Sequence, residues 1–165
     1  MSRVTAHDEH IVKHPVHEVY QTLSDFSAYR EWWPSPLTFE AIGPLPTRIG
    51  TRARMANPPW ASWTVVVEDL QEASLIAMSY ESGACKGTAS WHLEGVNGGT
   101  LVAYAVDVEL LPLWLRLASR IYDISREHTR QIDRVFAALD RRLSATGQSV
   151  SSQDCVPVLA AESDA

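Results

Sequence analysis

Apolar positions alternate with polar ones over much of this chain, then switch to a helical period near its end. Residues 4–14, VTAHDEHIVKH, place Val4, Ala6 and Val12 on one parity and predict a largely polar strand. Pro15 suits the first turn of a helix, and VHEVYQTLSDF follows with Val16, Val19, Tyr20 and Leu23 at helical spacing. SAYREWW predicts a short second helix, capped by Ser27 and stopped by Pro34. The stretch PSPLTFEAIGPLPTRIG is punctuated by proline and glycine and leaves room for one short strand near 38–42.

From Gly50 onward the period is two. TRARMA, SWTVVVEDL, SLIAMSYES, GTASWHLE and TLVAYAVDVEL read as strands separated by turn-forming residues. Their apolar parities are Trp63, Val65, Val67; Ile76, Met78, Tyr80; Ala89, Trp91, Leu93; and Val102, Tyr104, Val106, Val108. GVNGG between the last two is a hairpin signal, so a consecutive antiparallel meander is the economical reading. Residues 112 to about 144 then predict one long helix with a stripe of Trp114, Leu117, Ile121, Ile124, Ile132, Val135, Leu139 and Leu143. Arg116, Arg120, Asp123, Arg126, Arg130, Arg134 and Arg141 lie off that stripe, and Gly147 ends the pattern. The expected organisation is one domain over residues 1–146, followed by a disordered tail over 147–165 of small and polar residues without periodicity. The fold class is α+β: a curved antiparallel sheet wrapped around a long C-terminal helix, which leaves a cavity where one helix cannot fill the concave face.

Composition narrows the function classes. The 165 residues are 45% hydrophobic and 21% charged, as in an ordinary globular domain with a real core. A net charge of −6 does not favour nucleic acid or an anionic membrane. No apolar run reaches spanning length, the first residues lack a signal peptide's apolar core, and Cys85 and Cys155 make no disulfide framework. The expectation is a cytoplasmic protein with reduced thiols, no nucleic-acid partner and no stable membrane insertion. An exposed sheet edge is compatible with a homodimer.

Three segments carry a family resemblance. VKHPVHEVYQTLSDFSAYREWWP resembles the strand–proline–helix entry of the START-like (SRPBCC, Bet v 1-like) superfamily. ASWHLEGVNGGTLVAY resembles its penultimate strand pair, including the Gly-Thr after the turn, and ISREHTRQIDRVFAALDRRL resembles its closing helix. The likeness covers residues 4–144 and points to the group described as polyketide cyclase/dehydrase and lipid transport. It implies a helix-grip fold and a small hydrophobic ligand such as a lipid, polyketide, hormone or quinone. Only some members are enzymes, so the resemblance leaves the activity open.

Candidate chemistry follows from polar or aromatic residues on inward faces. His128 falls near the centre of the helical stripe, between Ile124 and Ile132, as a ligand partner or acid/base; a satisfied core histidine is the alternative. Tyr80 and Tyr104 share the inward parity of their strands and could orient a carbonyl or phenol. Met78, Trp63 and Trp91 lie on the same face, where the indoles suit stacking on a flat ligand or simple core filling. With Ile121 and Ile124 from the helix, these residues form the expected binding set. His10 shares the parity of Val12 and is a second polar candidate. In YREWWPSP, Trp32 is expected to anchor the short helix while Trp33 borders the cavity mouth, unless both cap the core.

Other constellations carry less. His7, His10, His14 and His17 are divided between a strand and a helix start, so no metal site is expected. The arginines of the last helix alternate with Asp123, Glu127, Asp133 and Asp140, a salt-bridged solvated face; Arg52 and Arg54 point to water. No nucleophile elbow, phosphate loop or dinucleotide fingerprint occurs, and no cofactor is implied. The reading is a binding module for a small hydrophobic ligand. The alternative is a cofactor-independent cyclase/aromatase-like enzyme in which His128, Tyr104 or His10 moves protons during aldol condensation or dehydration.

Overall fold

The computed structural model describes residues 3–59, 61–118 and 123–151, with the side chains of 124, 125 and 148–151 left aside. Its elements run β1 (Arg3–Val12), α1 (Val16–Ser24), a 3-10 turn (Phe26–Ala28), α2 (Tyr29–Trp32), β2 (Thr38–Gly43), β3 (Arg52–Asn57), β4 (Ala61–Gln71), β5 (Leu75–Gly83), β6 (Cys85–Val96), β7 (Gly99–Leu110), α3 (Leu113–Ala118) and α4 (Ile124–Ser151). The strands form one antiparallel sheet in the order β1-β7-β6-β5-β4-β3-β2. This is the helix-grip arrangement, a curved sheet closing on a long C-terminal helix, with short helices between its first two strands.

Local chemistry explains the register. Val96 pairs with Gly99, which leaves Asn97-Gly98 as a two-residue turn, and Gly98 takes φ +90°, a conformation that side-chain-bearing residues rarely adopt. Thr100, fully buried, then donates its hydroxyl to the His14 carbonyl at 2.7 Å and ties the end of β1 to the hairpin. The predicted inward parities are the buried ones: Val65 and Val67, Ile76 and Met78, Trp91 and Leu93, Val102 and Tyr104 are all under 10% exposed. From α4, Ile132, Val135, Phe136, Leu139 and Leu143 close the core. Burial of a large apolar side chain contributes on the order of 1.5–3 kcal/mol, so this seam dominates the packing.

Five expectations are corrected. The first strand ends at Val12, two residues early. The turn before α2 is capped by Asp25, whose carboxylate accepts the Ser27 backbone N–H at 3.1 Å; Ser27 does not cap it. The predicted single helix over 112–144 is two helices. Asp123 accepts the Arg126 backbone N–H at 3.0 Å and so N-caps α4, a start signal inside an otherwise continuous apolar period. Trp114 and Leu117, assigned to the buried stripe, belong to α3 and are each 49% exposed. Finally, α4 continues through Gly147 to Ser151, within the segment expected to be tail; residues 152–165 lie outside the described residues.

Candidate functional site

Between the concave sheet face, α2 and α4 lies a cavity of about 1020 Å³. Its floor is apolar, with Val65, Met78, Ala89, Trp91 and Val106 from β4 to β7. Its outer side is built by Phe26, Tyr29, Trp33 and Phe39, and by Trp114 and Leu115 of α3. Volume and lining match a site for a small, largely apolar molecule.

The aromatic wall follows from the entry segment. Tyr29 sits at the centre: its hydroxyl donates to the Leu23 carbonyl at 2.5 Å, satisfying an acceptor in the last turn of α1. Its ring meets Trp32 edge-on at 4.8 Å and stacks on Trp33 at 5.0 Å with 19° between planes. Trp32 is 8% exposed and anchors α2, while Trp33 is half-buried and lines the same cavity as His128. The adjacent indoles therefore divide in use because α2 ends at Trp32 and Trp33 turns to extended backbone, φ −60°, ψ 132°.

Polar groups converge on the opposite wall. Tyr104 is buried on β7, with its ring 4.4 Å from Trp91 and stacked on His128 at 5.8 Å, planes 15° apart. Burial pushes the Tyr104 hydroxyl up to about 12, and burial raises Tyr80 as well, so both stay protonated as donors near neutral pH. The two hydroxyls are close enough to influence each other's ionisation. Burial also lowers the His128 pKa, with the Asp8 carboxylate partly opposing it, so the imidazole is neutral at pH 7. His128 Nδ1 is 3.9 Å from Asp8 Oδ2, and both atoms are buried without a hydrogen-bond partner among the described residues. Cys85, also in the lining, has its thiol pushed up to about 12 by burial.

The sequence-predicted set divides as follows. His128, Tyr80, Tyr104, Trp33, Trp63, Met78 and Trp91 all line this cavity. Ile121 lies outside the described residues, as does the side chain of Ile124, whose backbone opens α4. His10 does not join the lining: its Nε2 lies 2.7 Å from Asp140 and its ring stacks on Phe136 at 5.1 Å, pinning β1 to α4. The other N-terminal histidines disperse, His7 to Glu9, His14 to Glu18 and His17 to Glu72. Arg126, Arg130 and Arg134, assigned to a solvated face, are exposed but border the cavity on the α4 side. The residue that sequence reasoning missed is Asp8. It shares the inward parity of Val4, Ala6, His10 and Val12, and a charged residue on that parity was the available signal.

No curated protein matches the sequence significantly. Among solved structures, a Thermus thermophilus protein is 16% identical with TM-score 0.69, covering 88% of this chain and 99% of that one. Norcoclaurine synthase from Thalictrum flavum, in complex with dopamine and hydroxybenzaldehyde, is 11% identical with TM-score 0.65 over 87% and 88%. Ara h 8.0201 is 14% identical with TM-score 0.61 over 87% and 99%. At these identities the likeness establishes the fold. A family model described as polyketide cyclase/dehydrase and lipid transport matches residues 3–141, nearly all of the described chain. The chain therefore belongs to the polyketide cyclase/dehydrase and lipid transport family.

Proposed function

We propose that this protein binds one small, mostly apolar ligand between its sheet and α4, with the ligand's polar end against His128, Tyr104 and Tyr80. The observation that carries this reading is the cavity of about 1020 Å³, whose walls are mostly aromatic and aliphatic, with that cluster on one wall and further polar side chains, among them Asn57, Arg130 and Gln131, in the rest of the lining. Family membership supports a hydrophobic-ligand fold, and a structural neighbour holds aromatic molecules. Among the described residues no helix is long and apolar enough to cross a membrane, and the reading needs none. Native mass spectrometry of the gently purified protein tests it. A bound organic species released on denaturation supports the reading; a protein that remains empty after exposure to neutral aromatic and fatty compounds contradicts it.

A second reading, catalysis, is supported by the pairing of a neutral imidazole with two protonated phenols on one wall. In an aldol-type step His128 would take a proton from the carbon beside a carbonyl. The electron pair would move to the carbonyl oxygen, and a tyrosine hydroxyl would donate a hydrogen bond to the resulting enolate. A multi-carbonyl chain that cyclises faster with wild-type protein than with His128→Phe would establish this reading; equal rates would remove it.

A further inference from the structure

The site contains a buried carboxylate that neither reading uses. Asp8 comes from the edge strand β1, directly opposite Tyr104 in the β1–β7 register. Its side chain is only 10% exposed, and Oδ2 is buried with no hydrogen-bond partner among the described residues. An unpaired carboxylate oxygen in such a place is strongly unfavourable unless a donor faces it. The donor that faces it is His128, whose Nδ1 lies 3.9 Å away and is equally buried and unpartnered. That distance exceeds a formed hydrogen bond, as is common in catalytic and binding pairs before the ligand tightens them. Stacking on Tyr104 holds the imidazole plane, and Nδ1 lies on the Asp8 side of the ring. The His128 side chain is 22% exposed although Nδ1 is buried, so other atoms of this cavity-lining side chain reach open space.

We propose that Asp8 is the positioning residue of the site: it holds His128 as the Nδ1–H tautomer, so that Nε2 faces the cavity as a proton acceptor and selects ligands bearing a phenolic or enolic hydroxyl. A neutral imidazole has one N–H, and the carboxylate draws it to the near nitrogen. The far nitrogen then offers a lone pair to the ligand. A ligand hydroxyl can donate to that lone pair while accepting from a tyrosine hydroxyl, whereas an ether oxygen can only accept and leaves Nε2 unpaired. The ionisable groups facing the ring are Asp8 from β1 and Tyr104 from β7, while Tyr80 from β5 and Cys85 from β6 neighbour Tyr104. On the ring's own helix Glu127 is engaged by Arg130 at 3.4 Å, with Arg126 and Arg134 further along the cavity edge. The ligand-class half of this proposal rests on the cavity reading; the tautomer half does not.

Two measurements separate those halves. Long-range proton–nitrogen NMR of the imidazoles in free wild-type protein should show His128 as the Nδ1–H tautomer. Asp8→Asn should lower the His128 pKa further, because the carboxylate that favours the charged ring is gone, and Asp8→Leu should move the ring toward the Nε2–H form. An Nε2–H ring in the wild type, or a His128 signal unchanged in both variants, overturns the positioning role even if one variant folds poorly. For ligand class, 2-naphthol should bind roughly three- to tenfold more tightly than 2-methoxynaphthalene, which has no hydroxyl donor. That preference should vanish in His128→Phe. Equal affinities in wild type overturn the hydroxyl selection. Failure of both naphthalenes to bind overturns the cavity reading and the ligand class with it, while the tautomer spectrum still decides the role of Asp8.

Discussion

Tyr104 and His128 stack with their ring centroids 5.8 Å apart and their planes within 15°, joining β7 to α4 at the polar end of the cavity. Behind the stack Asp8 faces the same imidazole, so the three side chains act as a unit. Such units are non-additive. His128→Phe keeps the ring contact but strands the Asp8 carboxylate, and should cost about 1–3 kcal/mol in urea unfolding. Asp8→Leu together with His128→Phe removes both ends and should recover part of that loss. A double variant as unstable as the sum of the singles would show that the two residues do not interact.

The acid side of the stability profile should carry the signature of His128. Burial lowers its folded pKa below the ordinary 6.5. As pH falls through about 6.5, the unfolded chain takes up a proton that the folded chain does not. Stability therefore rises with pH in the window from the lowered folded value up to 6.5, and is fully present above it. Glu81 and Asp107 are held below the usual carboxylate range by Arg52 and Arg3, so their contributions are lost only at lower pH. Unfolding at pH 7.5 and 5.5 should show a larger drop for wild type than for His128→Phe; equal drops would contradict the burial of a neutral imidazole.

Tyr29→Phe tests the aromatic wall. The ring contacts with Trp32, Trp33 and Phe39 remain, but the Leu23 carbonyl loses its donor in a fully buried place. The expected loss is about 1–2 kcal/mol with unchanged ligand affinity. A neutral substitution would mean that water replaces the hydroxyl and that the place is less closed than the packing indicates.

Cys85 should be a slow thiol. With its pKa pushed up to about 12 and its side chain in the cavity lining, little thiolate is present at pH 8. In a Cys155→Ser background, iodoacetamide should label Cys85 far more slowly than free cysteine, and a bound ligand should slow it further. Labelling at the rate of free cysteine would contradict its burial.

The fold was legible because the period-two stretches name their own inward faces: Trp63, Met78, Trp91 and Tyr104 were found by parity alone and line one cavity. His128 stood out as a polar residue on an apolar stripe. His10 was named by its inward parity but does not line the cavity, since the same parity brings it against Phe136 and Asp140 of α4, a contact only tertiary packing determines. The single long helix failed because apolar periodicity persists across Asp123, whose capping role competes with it. Asp8 was not named although its parity places it with Val4 and Val12, because the group that gives it meaning, His128, comes from α4 and is brought opposite only by tertiary packing.

The central claim is that the cavity is a ligand site, and a fluorescence titration with the neutral dye N-phenyl-1-naphthylamine tests it most directly. Wild-type protein should bind one dye per chain with enhanced emission, and Ala89→Trp, which fills the cavity floor, should abolish binding while keeping the wild-type far-UV circular dichroism. Dye that binds Ala89→Trp as well as wild type, or does not bind wild type at all, would contradict the account.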